Sequence, residues 1–290
     1  MKRIICILLF SLKLQAASAQ SQGRQLFFYN VGLNTITAGV GAVMNKQKTQ
    51  SWKRVFLKGA WQGGIGGMLI FTSKQALHLI NSKENYTYAW PAKFLHSAGT
   101  SITENAALCE PFLANWHFDL GLVRFDYKKN AEDKFKARLL PWGLYSIHEG
   151  FRFGKRFDVQ KSVQTGELIF SNPEYVLVDL GNEEWVEGVS FGRAIVIGHE
   201  YAGTYEVMVH EIVHQYQYQE YMVFNTWLKP LANRLKSKPV KKLFSRYIYP
   251  EVPYFLWSYG LQGTPDPQHY YRNFYEFEAQ RFATNKYVPR

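Results

Sequence analysis

Residues 188–221, GVSFGRAIVIGHEYAGTYEVMVHEIVHQYQYQEY, decide the fold class. The first part, Gly188 to Gly198, is apolar, rich in β-branched residues and punctuated by glycine, and reads as a strand. The second, Tyr205 to Tyr221, holds no Gly or Pro and reads as an unbroken helix. Upstream, Trp116 to Tyr127, Phe135 to Ile147, Glu167 to Phe170, Tyr175 to Asp179 and Val189 to Ile197 read as strands. Ser171-Asn172-Pro173 and Gly181-Asn182 punctuate them, and the short connections predict antiparallel pairing. Downstream of Thr204 the chain is helical, with an aromatic loop near Tyr249 to Gln268. The expectation is an α+β fold: Gly-rich helices over 20–115, a central antiparallel sheet over 116–203, and helices over 204–290. No linker separates residues 115–290, which read as one body.

Composition narrows the field. Of 290 residues, 47% are hydrophobic and 17% aromatic, too many for a disordered chain, and no Gly or Pro bias marks a fibrous one. No repeat of twenty to fifty residues points to a solenoid or propeller. Lys2-Arg3, the apolar run Ile4 to Leu12 and Ala17-Ser18-Ala19 read as a signal peptide over 1–19, with Gln20 starting the mature chain. That run is shorter than the roughly 20 residues a bilayer requires. The expected location is export: periplasm, outer envelope or secreted. Cys109 would then be the one mature cysteine, read as a buried small hydrophobe, with no internal disulfide. Gly59, Gly63 and Gly67 recur every fourth residue and form a smooth helical stripe. Such a stripe suits either close packing of two soluble helices or a membrane-associated pair.

Within the long helix stands His210-Glu211-Ile212-Val213-His214. Four residues apart, both imidazoles project from one face and can share a Zn2+ ion, while Glu211 reaches a water on that ion without being a ligand. The pattern H-E-x-x-H-x-x-G-x-x-H is absent, because Gln217 and Glu220 occupy the positions of its Gly and last His. Glu220 is expected to point away from the metal.

The segment Glu276-Phe277-Glu278-Ala279-Gln280 resembles the E-x-x-A-D segment of gluzincin metallopeptidases. That resemblance, which covers Gly188–Gln217 and Phe274–Ala283, implies Glu276 as third zinc ligand. It implies Ala279 at the helix–helix approach and Gln280 where the family's Asp orients a ligand histidine. Gln supplies a carbonyl acceptor but no charge. It also implies that a sheet edge near Gly188–Gly198 holds substrate as an added strand. Glu278, about 200° further round a helix, is expected to take no part in metal binding. A solvated charged face is the alternative for both carboxylates.

His269, Tyr270 and Tyr271 are candidate oxyanion donors or simply packing residues. His199-Glu200 has no helical partner, and His96, His117 and His148 are isolated. Lys229, Arg234, Lys236, Lys238, Lys241, Lys242 and Arg246 form a run free of acid, either a solvated face or a patch for anionic lipid or another polyanion. Export and the lack of a recognisable module argue against nucleic acid. These readings lead to an exported zinc metallopeptidase with His210, His214 and Glu276 as ligands, Glu211 as base and a protein or peptide substrate. The alternative is a non-catalytic, membrane-associated envelope scaffold.

Overall fold

Glycine spacing sets the first layer. In the computed structural model, which describes residues 20–174, 176–179, 183–198, 204–234, 237–262 and 267–289, the N-terminal region forms three long helices. These are α1 (Gln20–Asn45), α2 (Trp52–Lys83) and α3 (Ala89–Ala107). The glycine stripe of α2 lies against α1: a Cβ at Gly63 would stand 2.3 Å from the Asn34 carbonyl oxygen, and one at Gly67 2.7 Å from that of Asn30. On another face Gly66 meets α3, where a Cβ would stand 2.7 Å from the Gly99 carbonyl oxygen. The stripe therefore packs protein on protein. Helix α1 is long and apolar enough to cross a bilayer, yet here its Leu26, Asn30, Asn34 and Ala38 are buried. The proposed signal segment and His199-Glu200 lie outside the described residues.

The expected strand Trp116–Tyr127 is a hairpin, β1 (Asn115–Leu120) and β2 (Val123–Lys128), because Gly121 adopts φ +54° between them. Strand β3 (Phe135–Leu139) completes an antiparallel three-stranded sheet. The expected strand Phe135–Ile147 stops there. Pro141, at φ −62°, cannot donate to a ladder and is preset for the helix α4 (Trp142–Gly154).

The second sheet contains β4 (Arg156–Phe157), β5 (Leu168–Asn172), β8 (Gly188–Ser190) and β9 (Ala194–Gly198), in the order β4-β5-β9-β8. Helix α5 (Val159–Thr165) links β4 to β5, and a separate hairpin, β6 (Val176–Asp179) with β7 (Glu183–Val186), follows β5. The expected antiparallel pairing fails at one ladder: β5 and β9 run parallel, from Leu168 opposite Ala194 to Asn172 opposite Gly198. The intervening hairpin and β8 bring the chain back in the same direction. Gly192, at φ +75°, divides the expected strand Val189–Ile197 into β8 and β9.

Strand β9 leads into α6 (Thr204–Glu220). A turn of 3-10 helix (Tyr221–Leu228), α7 (Lys229–Asn233), α8 (Lys238–Arg246), α9 (Tyr254–Leu261), a second 3-10 turn (Pro267–Arg272) and α10 (Phe274–Thr284) follow. Ile195 and Ile197 of β9, Met208, Val209, Ile212 and Val213 of α6, Phe277 of α10, and Leu77 and Ile80 of α2 share one buried cluster. Each such aliphatic contributes about 1.5–3 kcal/mol, which holds α6 in place although polar residues interrupt it. Helix α6 is thus enclosed by the sheet on one side and by α2 and α10 on others. That enclosure positions the histidines.

Candidate metal centre

His210 and His214 lie one turn apart on α6, and Glu276 enters from the first turn of α10. The His210 and His214 Nε2 atoms are 3.0 Å apart, and Glu276 Oε2 is 3.0 Å from the first and 3.4 Å from the second. Among the described residues, these three offer ligand atoms gathered within 4.8 Å of one another. The edge of a tetrahedron around zinc with ordinary Zn–N and Zn–O bonds is about 3.3 Å. Two imidazoles and one carboxylate at those separations fit a zinc ion with a fourth position left open.

Each candidate ligand is held from behind. His210 Nδ1 faces Gln280 Oε1 at 3.1 Å, and Gln280 Nε2 donates to Glu206 Oε1 at 2.9 Å. His214 Nδ1 faces Gln217 Oε1 at 2.8 Å, and Gln217 Nε2 donates to Glu278 Oε2 at 2.9 Å. The two histidines thus have the same support: an amide accepts from the ring and passes the contact to a carboxylate. The charge that Gln280 lacks is supplied one step further out by Glu206. Such outer contacts fix the tautomer and ring orientation of a ligand histidine. Glu276 is held by Tyr259, whose hydroxyl donates to Oε1 at 2.6 Å, leaving Oε2 for the histidines.

Glu278 requires a correction. It does turn away from the three ligands, as its place on the helix dictates, but it meets protein and not solvent. It is fully buried, and its Oε1 accepts from Asn30 Nδ2 at 2.7 Å and lies 3.0 Å from Lys74 Nζ. Lys74, also fully buried, pairs at 2.6 Å with Glu220. Glu220 therefore points away from the ligands, as expected, into this same pocket. The Gly-rich α1 and α2, which the motifs leave unexplained, supply the cation and amide behind His214. Helix α10 is buried on both sides, so residues 200° apart on it both face protein. The solvated-face alternative fails for Glu276 as well, which is 3% exposed.

Electrostatics follow this enclosure. Burial works against a charged His214, but the Glu276 carboxylate beside it outweighs that and raises the imidazole to about 9. Burial likewise opposes ionised Glu276, yet His214 and the bonds from both histidines hold it well below the usual carboxylate range. Glu211, one residue along α6, is buried and its carboxyl is pushed up, with the two histidines offsetting part of the shift. A bivalent cation would take over the positive charge that Glu276 now draws from the histidines.

Beside Glu211 runs β8, the last strand in the order of its sheet. A Cβ at its first residue, Gly188, would come within 3.2 Å of Glu211 Oε1 and 2.6 Å of Val207 Cγ1. Of the proposed oxyanion donors, Tyr270 hydrogen-bonds the Glu276 carboxylate, and Tyr271 is half-buried near Glu276 and Glu206. His269 lies on the same turn, and its side chain is outside the described set. The other described histidines have other partners: His78 Nδ1 lies 3.3 Å from the Ala283 carbonyl, His96 stacks on Tyr216 at 4.0 Å, His117 bonds Thr100 and Ser101, and His148 is exposed. Cys109 is partly buried, its thiol donating to the Ala42 carbonyl at 3.0 Å.

Sequence reading missed Tyr259, Gln217, Glu206, Lys74 and Asn30. Gln217, three residues after His214, carried a usable signal, since that spacing places both on one helical face. Glu206, four residues before His210 on the same helix, shares that local signal, whereas Tyr259, Lys74 and Asn30 come from distant segments with no motif. Compared with known proteins, the chain matches no family model, no curated protein and no solved structure.

Proposed function

We propose that this chain is an exported zinc-dependent metallopeptidase with a gluzincin-like ligand set. The observation that carries this reading is the meeting of His210, His214 and Glu276 from two helices, with His210 and Glu276 66 residues apart in sequence, beside a buried Glu211. Zinc held by these three residues would supply the Lewis acidity that makes water nucleophilic near neutral pH.

The chain's own residues then have defined tasks. Glu211, its carboxyl raised towards neutrality by burial, takes the proton of the attacking water and returns it to the leaving amine. The Gln217 and Gln280 carbonyls hold the two imidazole rings with Nδ1 protonated and Nε2 free for the metal. Tyr259 holds one oxygen of Glu276 so that the other stays directed at the histidines. Strand β8, last in its sheet among the described residues, offers an edge beside Glu211 where an extended peptide can add as a further strand, and Gly188 lets that strand lie close against Val207 and Glu211.

Protein purified without chelators should carry about one equivalent of zinc and hydrolyse a mixed peptide library. Glu211→Gln should keep the zinc and lose about 10²–10⁴ of the rate, the contribution of a general base. Metal-free, inactive protein would leave the envelope-scaffold reading in its place.

A further inference from the structure

Among the described residues, helix α8 is notable for having no buried residue. At 100° per residue, Val240, Leu243 and Phe244 fall in an arc about 100° wide, and Lys238, Lys241, Lys242 and Arg246 fall opposite. No residue of α8 is buried, and the three apolar side chains are each 37–41% exposed. The helix is tethered at its end through the backbone, where Leu139 N donates to Tyr247 O at 2.8 Å and Tyr249 N to Leu139 O at 2.9 Å. It is an amphipathic helix that rests against β3 and leaves about two fifths of each apolar side chain exposed.

Other cations gather nearby from distant parts of the chain. The Lys128 amine on β2 is held below its ordinary value by burial and by the like charges of Arg138, Lys136 and Lys229, against the pull of Asp126. Asn45 Nδ2 bonds the carbonyls of Gly41, Ala107 and Thr226 at 3.0–3.1 Å. This brings the α1–α2 link, with Lys46, Lys48 and the exposed Trp52, to the turn that runs into Lys229. Residues 20–83 contain no Asp or Glu, and neither do residues 221–250. Acids near this face include Asp126, which pairs with Arg138, and Glu110 after α3, with Glu132 and Asp133 in the β2–β3 link.

We propose that this face, formed by α8, Lys229 and the α1–α2 link, seats on a bilayer containing anionic lipid, with α8 lying in the plane of the headgroups. A soluble polyanion would satisfy the cations and leave the exposed parts of the α8 apolar arc and of Trp52 in water. A bilayer surface takes both, the lysines at the phosphates and the apolar side chains at the acyl boundary. Tryptophan beside lysine is the pairing found at that depth. The proposal does not depend on zinc or on peptidase activity.

The test is co-sedimentation of the chain 20–290 with vesicles of phosphatidylcholine alone and of phosphatidylcholine with one third phosphatidylglycerol. Binding should require the anionic lipid and fall as salt rises from 50 to 500 mM, since the Debye length shrinks from above ~10 Å to a few Å. A cation near such a surface is worth about fivefold in partitioning, so Lys238→Glu with Lys241→Glu and Lys242→Glu, which reverse three charges, should lose at least about a hundredfold. Leu243→Ser with Phe244→Ser keeps every charge and should also weaken binding. All five positions are unburied, and circular dichroism of each variant checks that the fold is retained. Three results would overturn the proposal: no vesicle binding, equal binding to neutral vesicles, or parent-like binding by both variants. Binding to soluble polyphosphate with none to vesicles would replace lipid by a polyanion.

Discussion

Replacing Glu278 by Gln tests the support behind His214 more sharply than deleting a ligand would. Were a metal held at Nε2 of His214, Nδ1 would carry the proton and donate to Gln217 Oε1, so Gln217 would have to turn its NH2 towards residue 278. Residue 278 must then accept on both sides, from Gln217 at one oxygen and from Asn30 and Lys74 at the other. A carboxylate does this and an amide cannot. Glu278→Gln sets its NH2 against Gln217 or against the Asn30–Lys74 pair, and turning Gln217 over only moves the clash to His214. A buried donor left without an acceptor costs about 1–3 kcal/mol. Where that cost falls on the histidine's orientation, it corresponds to the 10–100-fold loss of metal affinity typical of such outer contacts. Chelator competition on the folded variant measures it. Gln217→Ala breaks the same chain, so in the double variant the two losses should be non-additive by about 0.5–3 kcal/mol. Zinc affinity within threefold of the parent in Glu278→Gln, or strictly additive losses, would refute this account of the support.

Glu276→Gln should release the metal or weaken it greatly, because the third ligand is lost, whereas Gln280→Asp should tighten the site if the new carboxylate accepts from His210 Nδ1; the same competition assay reads both. Glu220 provides a pH test. Burial raises its carboxyl to about 7 and Glu278 adds to the rise, against the pull of Lys74. The folded chain therefore binds more protons than the unfolded one between the ordinary carboxylate value and about 7, and this group's contribution to stability falls as pH rises through that window. Glu220→Gln should remove that slope, on the order of 1–3 kcal/mol across the window in denaturant titrations, and an unchanged slope would assign it to other groups. Gly63→Ala should destabilise by about 1–3 kcal/mol by overpacking, since its methyl would meet the Asn34 carbonyl and the Ala38 side chain; thermal melting checks this.

The sequence by itself determined what depends on local geometry. Four-residue spacing on a helix puts His210 and His214 on one face whatever surrounds them, and helical rotation separates Glu276 from Glu278. The α+β class was legible because strand-like and helix-like runs alternate with punctuation that needs no tertiary context. Gly63 and its neighbours announced a close helix contact, because a missing Cβ is visible in any sequence.

Tertiary structure decided everything that depends on what a face meets. The β5–β9 ladder is parallel because of where the chain returns, which no residue in either strand encodes. Gly121 and Gly192 turned two expected strands into hairpins, since glycine permits a left-handed turn without announcing one. Helices α6 and α10 are buried on several sides, so their polar residues do not mark a solvent face, and the usual reading of a charge on a helix fails at Glu220 and Glu278. Lys74 and Asn30 reach the centre across more than a hundred residues of chain because only packing brings their helices there. A buried carboxylate needs hydrogen bonds and a countercharge, and here the fold brings them from α1 and α2.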